Sequence, residues 1–79
     1  MMYELLQRVA LKVDIPLRGL RKGDVGVVVE RYDNKGLEVE FVLESGDTLA
    51  LLTLPTTSVR PIGPDDLPAV RAVEEPDLV

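Results

Sequence analysis

Residues 22–30, which read Lys22-Gly23-Asp24-Val25-Gly26-Val27-Val28-Val29-Glu30, predict a tight turn that leads directly into a buried β-strand. Glycine tolerates backbone conformations that other residues avoid, and the β-branched valines favour a strand over a helix. If the side chains alternate with period 2, Val25, Val27 and Val29 face the core. Val28 then lies on the opposite face, on the side of Glu30 and Tyr32.

The next two strands follow from turn residues and alternation. Residues 33–36 (Asp-Asn-Lys-Gly) tolerate positive φ and predict a hairpin. The third strand has the clearest alternation, with one face apolar (Leu37, Val39, Phe41 and Leu43) and the other acidic (Glu38, Glu40 and Glu44). A fourth strand at residues 48–54 is apolar on both faces, so we expect both of its faces to be covered.

Two further strands complete the predicted sheet. Val9, Leu11 and Val13 alternate with Ala10 and Lys12 and predict the first strand, after about one helical turn at residues 2–7. The long loop at residues 15–20 is expected to anchor itself by folding Leu17 and Leu20 back onto the core. Residues 58–62 predict a fifth strand at an edge, because Pro61 is tolerated only there or at a strand end.

Five short strands over about 55 residues predict an all-β fold, a small five-stranded antiparallel SH3-like barrel spanning residues 1–62. An OB-type barrel is disfavoured, since only the turn Ser45-Gly46-Asp47 separates the third and fourth strands, where that fold usually has a helix. Residues 63–79 are rich in proline and acidic residues and predict a flexible, poorly ordered acidic tail.

Composition restricts the classes of function. The 79 residues carry a net charge of −5 and include no cysteine and no histidine. Five acidic residues and one basic residue lie in residues 63–79, which leaves a near-neutral body with little general affinity for nucleic acid. The lack of cysteine fits a cytoplasmic, reducing compartment, and no apolar run approaches the roughly 20 residues that cross a membrane.

Catalytic and cofactor chemistry finds little support in the sequence. Without histidine or cysteine, the commonest general base and the commonest soft metal ligands are missing. Ser45 and Ser58 have no plausible base beside them, and Glu38 with Glu40 is more simply a solvated strand face than a cation site. We therefore expect no enzymatic activity and no cofactor.

Residues 3–62 resemble the small bacterial proteins of the DUF4926 family, a domain of unknown function. The shared residues are Tyr3-Glu4-Leu5-Leu6, Asp14, Pro16, Gly19-Leu20, Gly23-Asp24-Val25-Gly26, Val28-Val29-Glu30, Tyr32, Glu38-Val39-Glu40-Phe41, Gly46, Leu49-Ala50-Leu51-Leu52-Thr53-Leu54 and Val59-Arg60-Pro61. Ser58 departs from the family, which commonly has an acidic residue there. The resemblance favours a partner-binding role, antitoxin-like or regulatory.

These observations favour a protein-binding module whose partner is another protein or a second copy. The apolar candidates for its contact surface are Val28, Val42, Leu52 and Leu54, on faces that either a partner or the N-terminal turn and the tail would cover, and the basic candidates are Arg18, Arg21 and Lys22. The simplest interpretation of the basic cluster is solvated charge that keeps a loop soluble.

Two other functions remain open. The Gly-x-x-Gly turn at residues 23–26 looks like the KOW-type turn of ribosomal and transcription-elongation proteins, which would indicate a nucleic-acid-binding or ribosome-associated barrel. With three aromatic residues in the chain, a stacking surface for bases is disfavoured. The other alternative is an accessory structural subunit of a larger enzyme.

Overall fold

Five strands pair antiparallel in one sheet in the computed structural model, which describes residues 3–33 and 35–62. They are β1 (Arg8–Leu11), β2 (Val25–Tyr32), β3 (Gly36–Val42), β4 (Thr48–Pro55) and β5 (Val59–Pro61), in the spatial order β4-β3-β2-β1-β5. Short 3₁₀ turns, Pro16–Arg18 and Thr56–Ser58, follow β1 and β4. The predicted all-β fold and its five strands are confirmed, and the predicted tail at residues 63–79 lies outside the described residues.

The connection between β4 and β5 forces the sheet to curl. These strands are the two edges of the sheet, and four strand spacings of about 4.8 Å would place them about 19 Å apart if it were flat. The chain from Pro55 to Val59 crosses only the 3₁₀ turn Thr56–Ser58 and reaches at most about 14 Å. The edges must therefore approach each other. Within the described residues, however, β4 pairs with β3 and β5 with β1, so the predicted barrel is a curled sheet that is not closed.

The core lies on the concave face of this curled sheet. Its buried members come from every strand and from two connecting segments: Tyr3, Val9, Leu11, Leu20, Val28, Leu37, Val39, Phe41, Ala50, Leu54 and Val59. Strand β3 follows its predicted alternation, since its three apolar residues are fully buried and Glu38 and Glu40 lie on the other face. The regular alternation of apolar and acidic side chains in β3 therefore determines which face of this strand is buried in the core.

Strand β2 has the opposite orientation to the one its valines suggested. Val28 is fully buried in the core, whereas Val29 is 36% exposed. The reason is Gly26, which pairs with Phe41 on the core face and places Val28, two residues further on, beside Val39 on that face. Val25 is also buried, but it pairs with Ala10 on the other face of the sheet. A register shift between Val28 and Glu30 then displaces Val29 from regular pairing.

The N-terminal segment forms a hydrogen-bonded turn in place of the predicted helical turn. The Gln7 backbone N–H donates to the Glu4 carbonyl at 3.2 Å, and Leu6 takes a left-handed φ of 68°. The turn places Tyr3 in the core, where its hydroxyl donates to the Val59 carbonyl at 3.3 Å. The guanidinium of Arg31 donates to the Tyr3 carbonyl, so this segment is tied to both β2 and β5.

Replacing Gly26 with alanine should destabilise the fold. A Cβ at this position would lie 2.5 Å from Val39 Cγ1 and 2.8 Å from Phe41 Cε1, so core side chains would have to move. Overpacking of this kind typically costs about 1–3 kcal/mol. We expect Gly26→Ala to lower the free energy of unfolding by that amount in urea denaturation.

Gly36→Ala is the matched control for Gly26→Ala, because it makes the same change on a neighbouring strand. The nearest atom to its added Cβ is 3.8 Å away, an ordinary contact. We expect this variant to change stability by less than about 0.5 kcal/mol. Equal stability of the two alanine variants would contradict the packing of Phe41 against Gly26.

Candidate protein-interaction site

Two of the four apolar residues predicted to form a contact surface belong to the core, and a third packs against it. Val28 is fully buried, Leu54 is 8% exposed, and Leu52 is partly buried against the core cluster. Val42 is half-buried and pairs with Thr48 beyond a register shift. The curl of the sheet encloses Val28 and Leu54, which a flatter sheet would leave open, and covers Leu52 in part; the role of these residues in partner binding stays a prediction.

The three basic candidates lie in the loop of residues 12–24, which joins β1 to β2. This loop is held by its own hydrogen bonds. Ile15 and Leu20 exchange backbone hydrogen bonds of 2.9 and 3.1 Å and close a narrow base. Between them the 3₁₀ turn Pro16–Arg18 ends at Gly19, whose φ of 72° is left-handed and whose N–H donates to the Pro16 carbonyl. The loop is therefore a well-defined projection at one end of the sheet.

Leu17 occupies the apex of this projection and is 97% exposed. The prediction that it folds back onto the core was wrong, whereas Leu20 is buried as predicted. The difference follows from the 3₁₀ turn, which lets only Ile15 and Leu20 at the base of the loop reach the core. The sequence did contain a signal, since Pro16 and Gly19 flank Leu17 as turn residues.

The second half of the loop is a turn whose amides donate within the chain. Gly23 has a φ of 95°, and the Asp24 N–H donates to the Arg21 carbonyl at 3.0 Å across it. The buried Asp24 carboxylate accepts the Arg21 N–H at 2.9 Å, and the Asp14 carboxylate accepts the Lys22 N–H at 2.8 Å. The Gly23 N–H donates to the Leu11 carbonyl. These amides are therefore engaged by the protein itself and do not form a cradle for phosphate.

The loop is basic on an otherwise acidic chain. Residues 12–24 contain four basic and two acidic residues, and both acidic side chains accept backbone amides of the loop. Arg18, Arg21 and Lys22 are exposed. The structure thus places the three predicted basic residues in the same loop as one fully exposed leucine: Arg18 follows Leu17 directly, and Arg21 and Lys22 follow the Ile15–Leu20 bridge. We call Leu17, Arg18, Arg21 and Lys22 the loop tip.

The convex face of the sheet has a different chemistry. Glu30 and Glu38 are paired across β2 and β3, and the Tyr32 hydroxyl donates to the Glu38 carboxylate. The Thr48 hydroxyl donates to the Glu40 carboxylate at 2.6 Å. Across residues 3–33 and 35–62, no three histidine, cysteine or acidic side chains come together as a metal-ion site would require. This acidic face is therefore distinct from the basic loop tip.

The aromatic side chains offer no platform for stacking bases. Tyr3 and Phe41 are in the core, and Tyr32, which is 44% exposed, is hydrogen-bonded to Glu38 on the acidic face. These three are all the aromatic residues of the chain. Single-stranded nucleic acids are bound through exposed aromatic rings next to basic grooves, an arrangement that these positions do not provide.

Asp24→Ala should destabilise the loop and the fold, because it leaves the Arg21 N–H without the carboxylate that accepts it. Loss of an acceptor for a buried or partly buried donor costs about 1–3 kcal/mol. Asp24→Asn retains a side-chain oxygen acceptor, so we expect a smaller loss. Urea denaturation gives both stabilities, and an alanine variant as stable as the wild type would contradict a structural role for this carboxylate.

The Glu38 carboxylate, by accepting the Tyr32 hydroxyl and by its charge, raises the pKa of Tyr32 above its usual value of about 10. Because folding raises this pKa, the contribution of Tyr32 to stability is present below pH about 10 and is lost as the pH rises through the folded-state pKa. In NMR titration of tyrosine labelled at Cζ, Glu38→Gln should lower the Tyr32 midpoint. An unchanged Tyr32 midpoint would show that the Glu38 carboxylate does not raise the pKa of Tyr32.

Comparison with known proteins identifies a family without an assigned activity. The family described as "Domain of unknown function (DUF4926)" matches residues 5–61, from the N-terminal turn to the end of β5. Neither a curated protein nor a solved structure matches the chain. No helix in the described ranges is long and apolar enough to span a membrane. Since the match covers most of the chain and all five strands, the protein belongs to the DUF4926 family.

Proposed function

We propose that the protein is a non-enzymatic binding module that recognises another protein through the loop tip. The observation that carries this proposal is the 97% exposure of Leu17 at the apex of a loop closed by its own hydrogen bonds. Single exposed leucines are common on protein surfaces. This one differs because the surrounding backbone is held by the Ile15–Leu20 bridge and the turn at Gly19.

A preformed loop lowers the cost of binding. Association requires interface loops and side chains to become ordered, which reduces the net affinity. The backbone of the loop is already fixed, so contact with a partner would order little beyond the side chains. Burying Leu17 in an apolar pocket would contribute about 1.5–3 kcal/mol, which corresponds to an affinity gain of at least about tenfold.

The basic residues define the chemistry of the partner. Arg18, Arg21 and Lys22 are exposed in the same loop as Leu17, and arginine is enriched where interfaces gain most of their affinity. A complementary surface would have an apolar pocket with acidic residues at its rim. A protein with such a surface is the partner that this chemistry favours, and an antitoxin-like or regulatory role rests on the family resemblance alone.

The tip favours a protein partner over nucleic acid for two reasons. The amides of the turn at residues 21–24 donate to acceptors of the chain itself, so they do not present a phosphate-binding site. The aromatic residues are either buried or placed on the acidic face. Leu17, in contrast, has no role in contacting a phosphate backbone but suits an apolar protein pocket.

Leu17→Ser should weaken binding of the partner while preserving the fold. The full chain is immobilised and used to capture proteins from an extract of its source cells, and the captured proteins are quantified by mass spectrometry. We expect a protein whose recovery falls with Leu17→Ser and with Arg21→Glu. Re-binding of this protein in purified form should show an affinity loss of at least about tenfold for Leu17→Ser.

Leu6→Ser is the matched control, because Leu6 is 74% exposed but lies in the turn before β1, at the opposite end of that strand from the loop. It should leave capture unchanged. Nuclease treatment of the extract separates the alternatives: loss of capture after nuclease would assign the loop tip to nucleic acid and overturn the proposal. Capture that is equal for the wild type and Leu17→Ser would overturn it as well.

A further inference from the structure

The two edges of the sheet differ in how well they are protected from pairing with another strand. Strand β5 is three residues long and contains Arg60 and Pro61, and short length, charge and proline all discourage edge pairing. Strand β4 is eight residues long, and its sequence, Thr-Leu-Ala-Leu-Leu-Thr-Leu-Pro, has no charged residue. In the part of the chain that the structure describes, β4 pairs with β3 alone. One edge is therefore blocked and the other is open.

The hydrogen-bond pattern shows which groups β4 presents at this open edge. The Thr56 N–H donates to the Lys35 carbonyl, and hydrogen-bonded pairs alternate along an antiparallel ladder. Leu54, Leu52 and Ala50 therefore direct their backbone groups toward β3. Leu51 and Thr53 direct theirs away from it. The N–H and C=O groups of these two residues form the edge.

The regular part of the edge has defined ends. A register shift between β3 and β4 near Leu49 interrupts it on one side. On the other side Pro55, which occupies an outward-directed position, has no N–H to donate. The regular edge is thus residues 50–54, and its midpoint is Leu52. Leu51, just before the midpoint, is 49% exposed.

From this symmetry we propose that β4 pairs antiparallel with β4 of a second copy of the chain, about a two-fold axis at Leu52. In this register the backbone N–H and C=O of Leu51 meet those of the second copy's Thr53, and the axis repeats the contact, which gives four hydrogen bonds in total. In this register every backbone N–H and C=O group that residues 50–54 direct away from β3 is hydrogen-bonded, and no N–H is required from Pro55. The second copy is the occupant that fits, because the edge is complementary to itself.

Charge and closure support a dimer of this kind. Glu40 is opposite Leu51 and Glu38 is opposite Thr53, each on β3. In the dimer the acidic side chains of the two β3 strands would be three strand spacings apart, about 14 Å, beyond the Debye length of about 8 Å at physiological salt. Each copy has one open edge, so the contact closes as a dimer and does not propagate into a fibre. This inference uses the edge opposite β5 and does not depend on the loop tip.

Cysteine pairing tests the register directly, because the natural chain has no cysteine. Full-length Leu51→Cys and Thr53→Cys proteins, distinguished by mass, are mixed and oxidised. In the proposed register these positions face each other across the dimer with Cα atoms about 5.5 Å apart, within disulfide range. Two copies of the same cysteine variant would place their cysteines diagonally across the dimer, with Cα atoms about 7–8 Å apart, at the limit of that range. We expect mixed disulfide dimers to form faster than the disulfide dimer of either protein alone.

Light scattering and sedimentation over a concentration series test the dimer without cysteine. The wild type should shift from monomer to dimer as its concentration rises, and Leu51→Lys should remain monomeric. Val29→Lys is the matched control, because Val29 is also a partly exposed apolar residue on a strand but lies on β2, inside the sheet. It should still form the dimer.

Three outcomes would overturn the proposal. The first is a wild type that stays monomeric to its highest soluble concentration. This outcome counts against the proposal even if a variant without residues 63–79 forms a dimer. The second is a dimer that Leu51→Lys leaves intact. The third is equal disulfide formation in the mixture and in the separate cysteine proteins, which would exclude the register. Failure of Leu17→Ser to affect partner capture has no bearing on any of these.

Discussion

The close approach of Phe41 to Gly26 is the contact on which the rest of the fold depends. A Cβ at position 26 would lie 2.8 Å from Phe41 Cε1 and 2.5 Å from Val39 Cγ1, so β2 and β3 can meet on the core face only without a side chain at this position. This contact sets the orientation of β2, which places Val28 inside and leaves Val29 at the surface. It also fills the interior of a sheet that must curl to let three residues connect its two edges. Hydrophobic content is ample in this small chain, and the glycine determines how it is arranged.

The sequence predicted the strands well because turns and alternation are local signals. Strand β3 was assigned correctly down to its faces, since leucine, valine and phenylalanine alternate with glutamate. Strand β2 was reversed, because consecutive valines contain no information about which of them is inside and the deciding contact comes from Phe41 on another strand. The same limit applies to Leu52 and Leu54, for which the sequence does not show whether the chain itself or a partner covers them. Their burial depends on the curl of the whole sheet, which is a property of the connection after β4.

The candidate site was predicted in part. Arg18, Arg21 and Lys22 are exposed in one loop, as their clustering in the sequence indicated. The exposure of Leu17 was not predicted, since its hydrophobicity suggested burial, whereas the turn between Pro16 and Gly19 keeps it at the surface. The two carboxylates of the loop accept its backbone amides, and its four basic residues outnumber them, so the loop carries a net positive charge. The resulting molecule separates a basic loop from an acidic sheet face.

The strand order has a consequence for how the chain folds. Strands β2, β3 and β4 form a meander whose partners are neighbours in sequence, so their pairing closes only short loops. The β1–β5 ladder, in contrast, joins residues that are far apart in sequence, such as Val9 and Pro61. Contacts between distant residues carry the largest loop-closure entropy and limit the rate of folding. We therefore expect the meander to form first and the pairing of β5 with β1, with the Tyr3 hydroxyl bound to the Val59 carbonyl, to complete the core.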